Sequence, residues 1–149
     1  MSIFEHDRWF ITIGENDEII DSLDEVRKKV VAAQSLDQGS INLCAAAGPR
    51  PWWHRIFGTD RFIRSYFICE WYGDFAAIIF LDEKGSEYRA IDEENQTNVD
   101  VEVRKNISFG NYVALQEIYC LTKRRAFSAL IEFIETGIRP DWLSYKFFK

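Results

Sequence analysis

The side chains able to do acid–base or covalent chemistry are few and scattered along this chain. There are two histidines, His6 and His54, and three cysteines, Cys44, Cys69 and Cys120. His54 stands in "PRPWWHRIFGTDR" with no adjacent carboxylate or cysteine to orient it as a general base. The cysteines are odd in number, widely spaced and without a CxxC pair. That pattern predicts buried thiols in a reducing compartment, not a disulfide framework or a zinc site. Asp92, Glu93 and Glu94 are consecutive. Neighbours on an extended loop point in different directions, whereas a hard cation needs several converging oxygens. HExxH, GxSxG, P-loop and dinucleotide patterns are absent. The expectation is a protein without catalytic residues, metal or cofactor.

Two groups of residues fit recognition better than reaction. The first is "PRPWWHRIFGTDRFIR", which sets Trp52, Trp53, Phe57 and Phe62 among Arg50, Arg55, Arg61 and Arg64. Such side chains stack on bases, anchor protein interfaces, or lid a core with arginine stems over aromatic faces. The second is acidic. Asp82, Glu83, Glu87, Asp92, Glu93, Glu94, Asp100 and Glu102 meet only Lys84 and Arg89 in the same stretch. Read as a strand, "VDVEV" (99–103) turns Asp100 and Glu102 to one face and Val99, Val101 and Val103 to the core. That face is either simply solvated or a docking surface that steers a basic partner. The net charge of −6 argues against unspecific binding to nucleic acid.

The elements that must position these residues are legible in outline. A chain of 149 residues is expected to form one domain that needs no metal or disulfide to fold. "RWFITIG" (8–14) is a β-branched and aromatic strand ending in glycine. Ser22 and Glu25 form a capping box, and Leu23, Val26, Val30 and Ala33 follow at helical spacing, predicting a helix over 22–35. Strands follow at 40–48, 62–72 and 75–83, the last two joined at Gly73-Asp74. Another comes at 87–92, then strands at 99–103 and 112–119. Thr122 caps a final helix over 123–136. Its Ala126, Ala129, Leu130 and Phe133 lie on one stripe, Gly137 suits the left-handed C′ position, and Pro140 prevents resumption. The class is α+β: a mostly antiparallel meander with one helix near each end. "MSIFEHDRWF" has early acids and no long apolar run, and no stretch reaches the roughly 18 apolar residues of a membrane span. A cytoplasmic protein is expected.

"AFSALIEFIETGIRPDWLSY" (126–145) resembles the C-terminal signature of bacterial immunity proteins of the Imm family, type one. Phe133, Thr136, Gly137, Arg139, Pro140 and Leu143 match; Trp142 belongs to the same docked tail, and Tyr145 stands where tryptophan is commoner. The resemblance is specific over those residues and only architectural upstream. It implies a small protein, encoded beside a polymorphic toxin of interbacterial competition, that neutralises the toxin by occluding its active site. Such toxins are often nucleic-acid deaminases or nucleases. It implies a cognate, basic toxin domain as the partner in a 1:1 complex, with no direct nucleic-acid or membrane contact. The signature itself is structural. The expected toxin-binding residues come from the two groups above: Asp92, Glu93, Glu94, Asp100 and Glu102 for steering and pairing, Trp52 and Trp53 as anchors. The alternative is a nucleic-acid-binding or regulatory module that uses the Arg/Trp loop over 50–64.

Overall fold

The computed structural model of the chain describes residues 9–20, 22–46, 63–82, 84–92, 98–111 and 113–149. Within them the elements run β1 (Trp9–Ile13), β2 (Asn16–Ile20), α1 (Leu23–Gln34), β3 (Gln38–Ala46), β4 (Ile63–Tyr72), β5 (Phe75–Leu81) and β6 (Glu87–Ile91). Then come α2 (Val101–Asn106), a 3₁₀ turn (Glu117–Tyr119), β7 (Leu121–Thr122), α3 (Lys123–Thr136) and β8 (Ser144–Phe147). The α+β class is as expected. The strands form one eight-stranded sheet in the order β2-β1-β3-β4-β5-β6-β8, with the short β7 also on β5. Every strand pair is antiparallel.

Both long helices cover the same face of this sheet, here the first face. Their ends follow from local chemistry. The Ser22 hydroxyl accepts the Glu25 N–H at 3.4 Å, and the Thr122 hydroxyl accepts the Arg125 N–H at 3.3 Å, so each helix starts on a side-chain cap. α3 stops at Gly137, whose φ of 69° is the left-handed conformation glycine adopts without a Cβ clash. The first-face core joins Trp9 and Ile11 of β1, Ile41 and Leu43 of β3, Phe67 and Trp71 of β4, and Ile78 and Phe80 of β5 to both helices. Phe133 is its centre: it stacks on Phe67 at 5.0 Å and meets Trp9 and Phe80 edge-on at 6.2 Å. Cys44, Cys69 and Cys120 are buried, as expected.

The tail after Gly137 does more than drape over the domain. Residues 144–147 are β8, which pairs with β6 and forms that edge of the sheet. Arg139 is held by aromatic rings: its guanidinium lies 4.5 Å from the Tyr145 ring centroid, 4.6 Å from Tyr88 and 5.4 Å from Phe80. Burial raises the Tyr145 phenol pKa, and the Arg139 charge opposes that rise. A basic residue between the glycine and the proline thus has a structural use in this chain, clamping the tail to β5 and β6. Arg139→Ala is expected to destabilise by about 1.5–3 kcal/mol, because it removes three cation–π contacts that are individually worth roughly 0.5–1 kcal/mol. The urea midpoint reads this. Arg139→Lys should recover only part of the loss, since an ammonium lacks the flat guanidinium face. An unchanged midpoint in the alanine variant would leave the clamp without a stabilising role.

Three expectations need correction. "VDVEV" is not a strand: Asp100 is the N-cap of α2, its carboxylate accepting the Glu102 N–H at 2.9 Å. Val99 and Val103, four residues apart, pack on the second face of the sheet. The segment 112–119 is not a strand either; among its described residues it is irregular up to the 3₁₀ turn at Glu117–Tyr119. The third correction is an addition. Asn16–Ile20, not expected as a strand, is the edge strand β2, joined to β1 by a turn at Gly14 and Glu15.

Candidate functional site

The second face of the sheet divides into two halves. Over β5 and its neighbours it is covered by the segment from Asn98 to Cys120. Val99, Ile107, Leu115, Tyr119 and Cys120 bury Ala77 there, with Phe75, Ile91 and Phe109 packed at the margin. Arg89 links this half to the C-terminal tail, pairing with Glu87 at 3.2 Å and stacking 4.2 Å from the Phe148 ring centroid. Phe109 sits in the left-handed region at φ 57°, and its N–H donates to the Glu70 carboxylate. Burial raises the Glu70 pKa, and that hydrogen bond opposes the rise.

Over β2, β1, β3 and the start of β4 the second face carries an open groove of about 690 Å³. Strand register builds it. Ile19, Phe10, Cys44 and Tyr66 are successive cross-strand partners, so their side chains form one row; Asp17, Thr12 and Asn42 form the next. The first row gives an apolar floor and the second a polar rim. Ile19 is 58% exposed, high for an isoleucine in a strand. The Thr12 hydroxyl donates to the Asp17 carboxylate at 2.7 Å, and across the strand Glu18 pairs with Lys29 of α1. Glu15, exposed in the preceding turn, adds a third carboxylate to this edge.

Two titratable groups of the groove stay neutral. Burial pushes the Cys44 thiol up to about 12, against a hydrogen bond with Tyr66 that lowers it, so the sulfur is protonated at neutral pH. Burial also raises the Tyr66 phenol. The groove therefore presents a thiol, hydroxyls, an amide and hydrocarbon, flanked by carboxylates. Among the described residues, no group of three or more histidines, cysteines or acids is placed to hold a metal ion. No described helix is long and apolar enough to cross a membrane.

A second, polar cleft lies on the helix side between Gln34 of α1 and Arg124, Ser128, Glu132 and Glu135 of α3, bounded by Trp142. The Trp142 indole N–H donates to the Glu132 carboxylate at 2.7 Å, and the Arg125 guanidinium lies 5.6 Å from its ring centroid. Trp142 is therefore laid on α3, as the sequence predicts, while one face stays exposed.

The acidic residues singled out in the sequence that the structure describes do not share one strand face. Asp92 is buried. Asp100 is spent on capping α2, and Glu102 is exposed on that helix, so the two do not share a strand face. Asp82 organises the β5–β6 turn, accepting the N–H groups of Lys84 and Ser86 at 2.9 Å each. Glu93, Glu94, Trp52 and Trp53 lie outside the described residues, as do His6 and His54. Sequence reasoning missed Asp17, Ile19, Phe10 and Tyr66. The one local signal was the adjacent pair Ile19-Ile20 after three polar residues, which is unusual before a helix cap. No protein-family model matches this chain, and no curated protein matches it.

Proposed function

We propose that this chain is an immunity-type inhibitor, which binds a cognate secreted bacterial toxin domain in the cytoplasm and neutralises it by occluding its active site. A toxin that deaminates or cleaves nucleic acid fits best, because an enzyme that binds phosphates is basic and this chain carries a net charge of −6. The observation that carries the reading is the half-open second face. A contact surface with an apolar floor and an acidic rim lies beside a well-packed sheet, and its thiol and phenol stay protonated. The resemblance of residues 126–145 to the Imm family, type one, supports the same reading from the sequence.

The test is co-expression with the toxin domain encoded by the adjacent upstream gene. Cells making both are expected to survive, and the two proteins to co-purify in 1:1 ratio. Their association rate should fall as salt is raised, as steering between opposite charges requires. Cells that die despite a folded, abundant chain would sink the proposal, as would turnover of a nucleic-acid substrate by the isolated chain.

A further inference from the structure

The open half of the second face ends at β2, and the backbone there is set up to accept another strand. The Gly14 N–H donates to the Ser40 carbonyl at 3.0 Å, so the even-numbered residues of β1 turn their backbone groups to β3. The odd-numbered ones, Trp9, Ile11 and Ile13, therefore bond β2 through their partners Ile20, Glu18 and Asn16. The intervening residues, Asp17 and Ile19, direct N–H and C=O away from the sheet. Among the described residues nothing pairs with that edge, since β2 is an end strand of the sheet. The side chains of Asp17 and Ile19 face the groove.

Resting on the inhibitor reading above, we propose that the toxin domain docks by adding an extended, basic strand to the free edge of β2. The unpaired backbone groups supply the attachment and the groove supplies selectivity. A strand paired with Asp17 and Ile19 places two of its side chains on the second face, two residues apart. The one opposite Asp17 meets a carboxylate, and the one opposite Ile19 meets the apolar row of Ile19 and Phe10. The matching segment is an alternating one, with Lys or Arg and an apolar residue at i and i+2. Glu15 and Asp17 choose the sign of the partner, since Glu18 is already paired with Lys29. They also reject a second copy of β2, whose acids would lie directly opposite. Acids alone would merely guard an edge against aggregation. Ile19, more than half exposed between them, is what a guarding edge would not carry.

Ile19→Pro separates the two roles of this residue. It removes an N–H that β1 does not use, and proline is tolerated on an edge strand whose N–H faces outward. Binding of the purified toxin domain to the full chain is then measured by calorimetry, with hydrogen exchange on the complex. The wild-type complex should protect the Asp17 and Ile19 amides. Ile19→Pro should weaken binding on the order of tenfold or more, while melting close to wild type. Asp17→Lys leaves the backbone intact and should also weaken binding, with a flatter salt dependence. If both variants bind like wild type and the two amides stay unprotected, the edge is not the docking site although the inhibitor reading stands. A wild-type chain that does not bind the toxin domain at all overturns both. A wild-type chain that self-associates, and is released by Ile19→Pro, shows the edge to be taken by a second copy and overturns this proposal.

Discussion

Replacing Phe133 by alanine is expected to lower the unfolding free energy by about 3–5 kcal/mol. The side chain is completely buried in the last turn of α3. It stacks on Phe67 of β4 at 5.0 Å with an interplanar angle of 27°. It also meets the edges of Trp9 from β1 and Phe80 from β5, each at 6.2 Å. Truncation loses the transfer free energy of a phenyl ring and leaves a cavity bounded by rings that cannot collapse far without moving three strands. A protein of this size has a total stability of roughly 5–15 kcal/mol, so at a mid-range value of about 10 kcal/mol the variant should keep roughly half to 70% of its stability. The urea midpoint should drop with the slope unchanged. Phe147→Ala is the control: its ring packs on Tyr88 at 5.4 Å but is 59% exposed. That substitution should cost about 1 kcal/mol or less. Equal effects at the two sites would mean that α3 is not the main cover of the first face.

The contrast between these two phenylalanines also marks what the sequence makes legible. Phe133 was readable because its neighbours in the helix follow the 3.6-residue period and the stop at Gly137 is local chemistry. The same holds for Ser22 and Thr122, whose hydroxyls cap the helices they precede, and for the hairpin at Gly73-Asp74. Where one short window fits two periods, the reading fails. "VDVEV" alternates like a strand, yet Val99 and Val103 also lie four apart, one helical turn. Asp100 as cap, with Arg104 and Lys105 in the last turn, decides for the helix. β2 escaped notice because an edge strand has one free side and few core contacts; of its residues only Ile20 is buried. The groove was out of reach for a further reason. Phe10, Ile19, Cys44 and Tyr66 come from four strands, and only the order β2-β1-β3-β4 makes them neighbours. Residues 82–102 look like one acidic surface because sequence counts charges without their partners. In the fold, Asp82 holds a turn, Glu87 pairs with Arg89, Asp92 is buried and Asp100 caps a helix.

Gly39→Ala sets two general effects against each other, and their sizes predict which wins. On propensity alone an alanine in a strand interior should stabilise by about 0.5–1 kcal/mol, since glycine loses more backbone freedom on folding. Packing says otherwise. Gly39 of β3 lies directly opposite Trp71 of β4. A Cβ there would sit 2.6 Å from Cζ2 and 2.9 Å from Cη2 of the indole. The ring has little room to yield. It is 1% exposed, its N–H donates to the Leu36 carbonyl at 3.0 Å, and Phe127 of α3 packs against it edge-on at 5.1 Å. Overpacking of this kind costs about 1–3 kcal/mol, and displacing the indole from Leu36 adds about 1 kcal/mol. Gly39→Ala is therefore expected to destabilise by about 2 kcal/mol net, and Gly39→Val by more. Because Lys123 at the start of α3 also donates to the Leu36 carbonyl, at 2.8 Å, the disturbance should reach the junction of both long helices. Trp71→Phe removes the very atoms that clash. The double variant Gly39→Ala/Trp71→Phe should then be more stable than the sum of the single effects by 1 kcal/mol or more, a coupling read from four urea midpoints. Strict additivity, or a stabilised Gly39→Ala, would show that the indole can move aside and that the glycine is not there to make room for it.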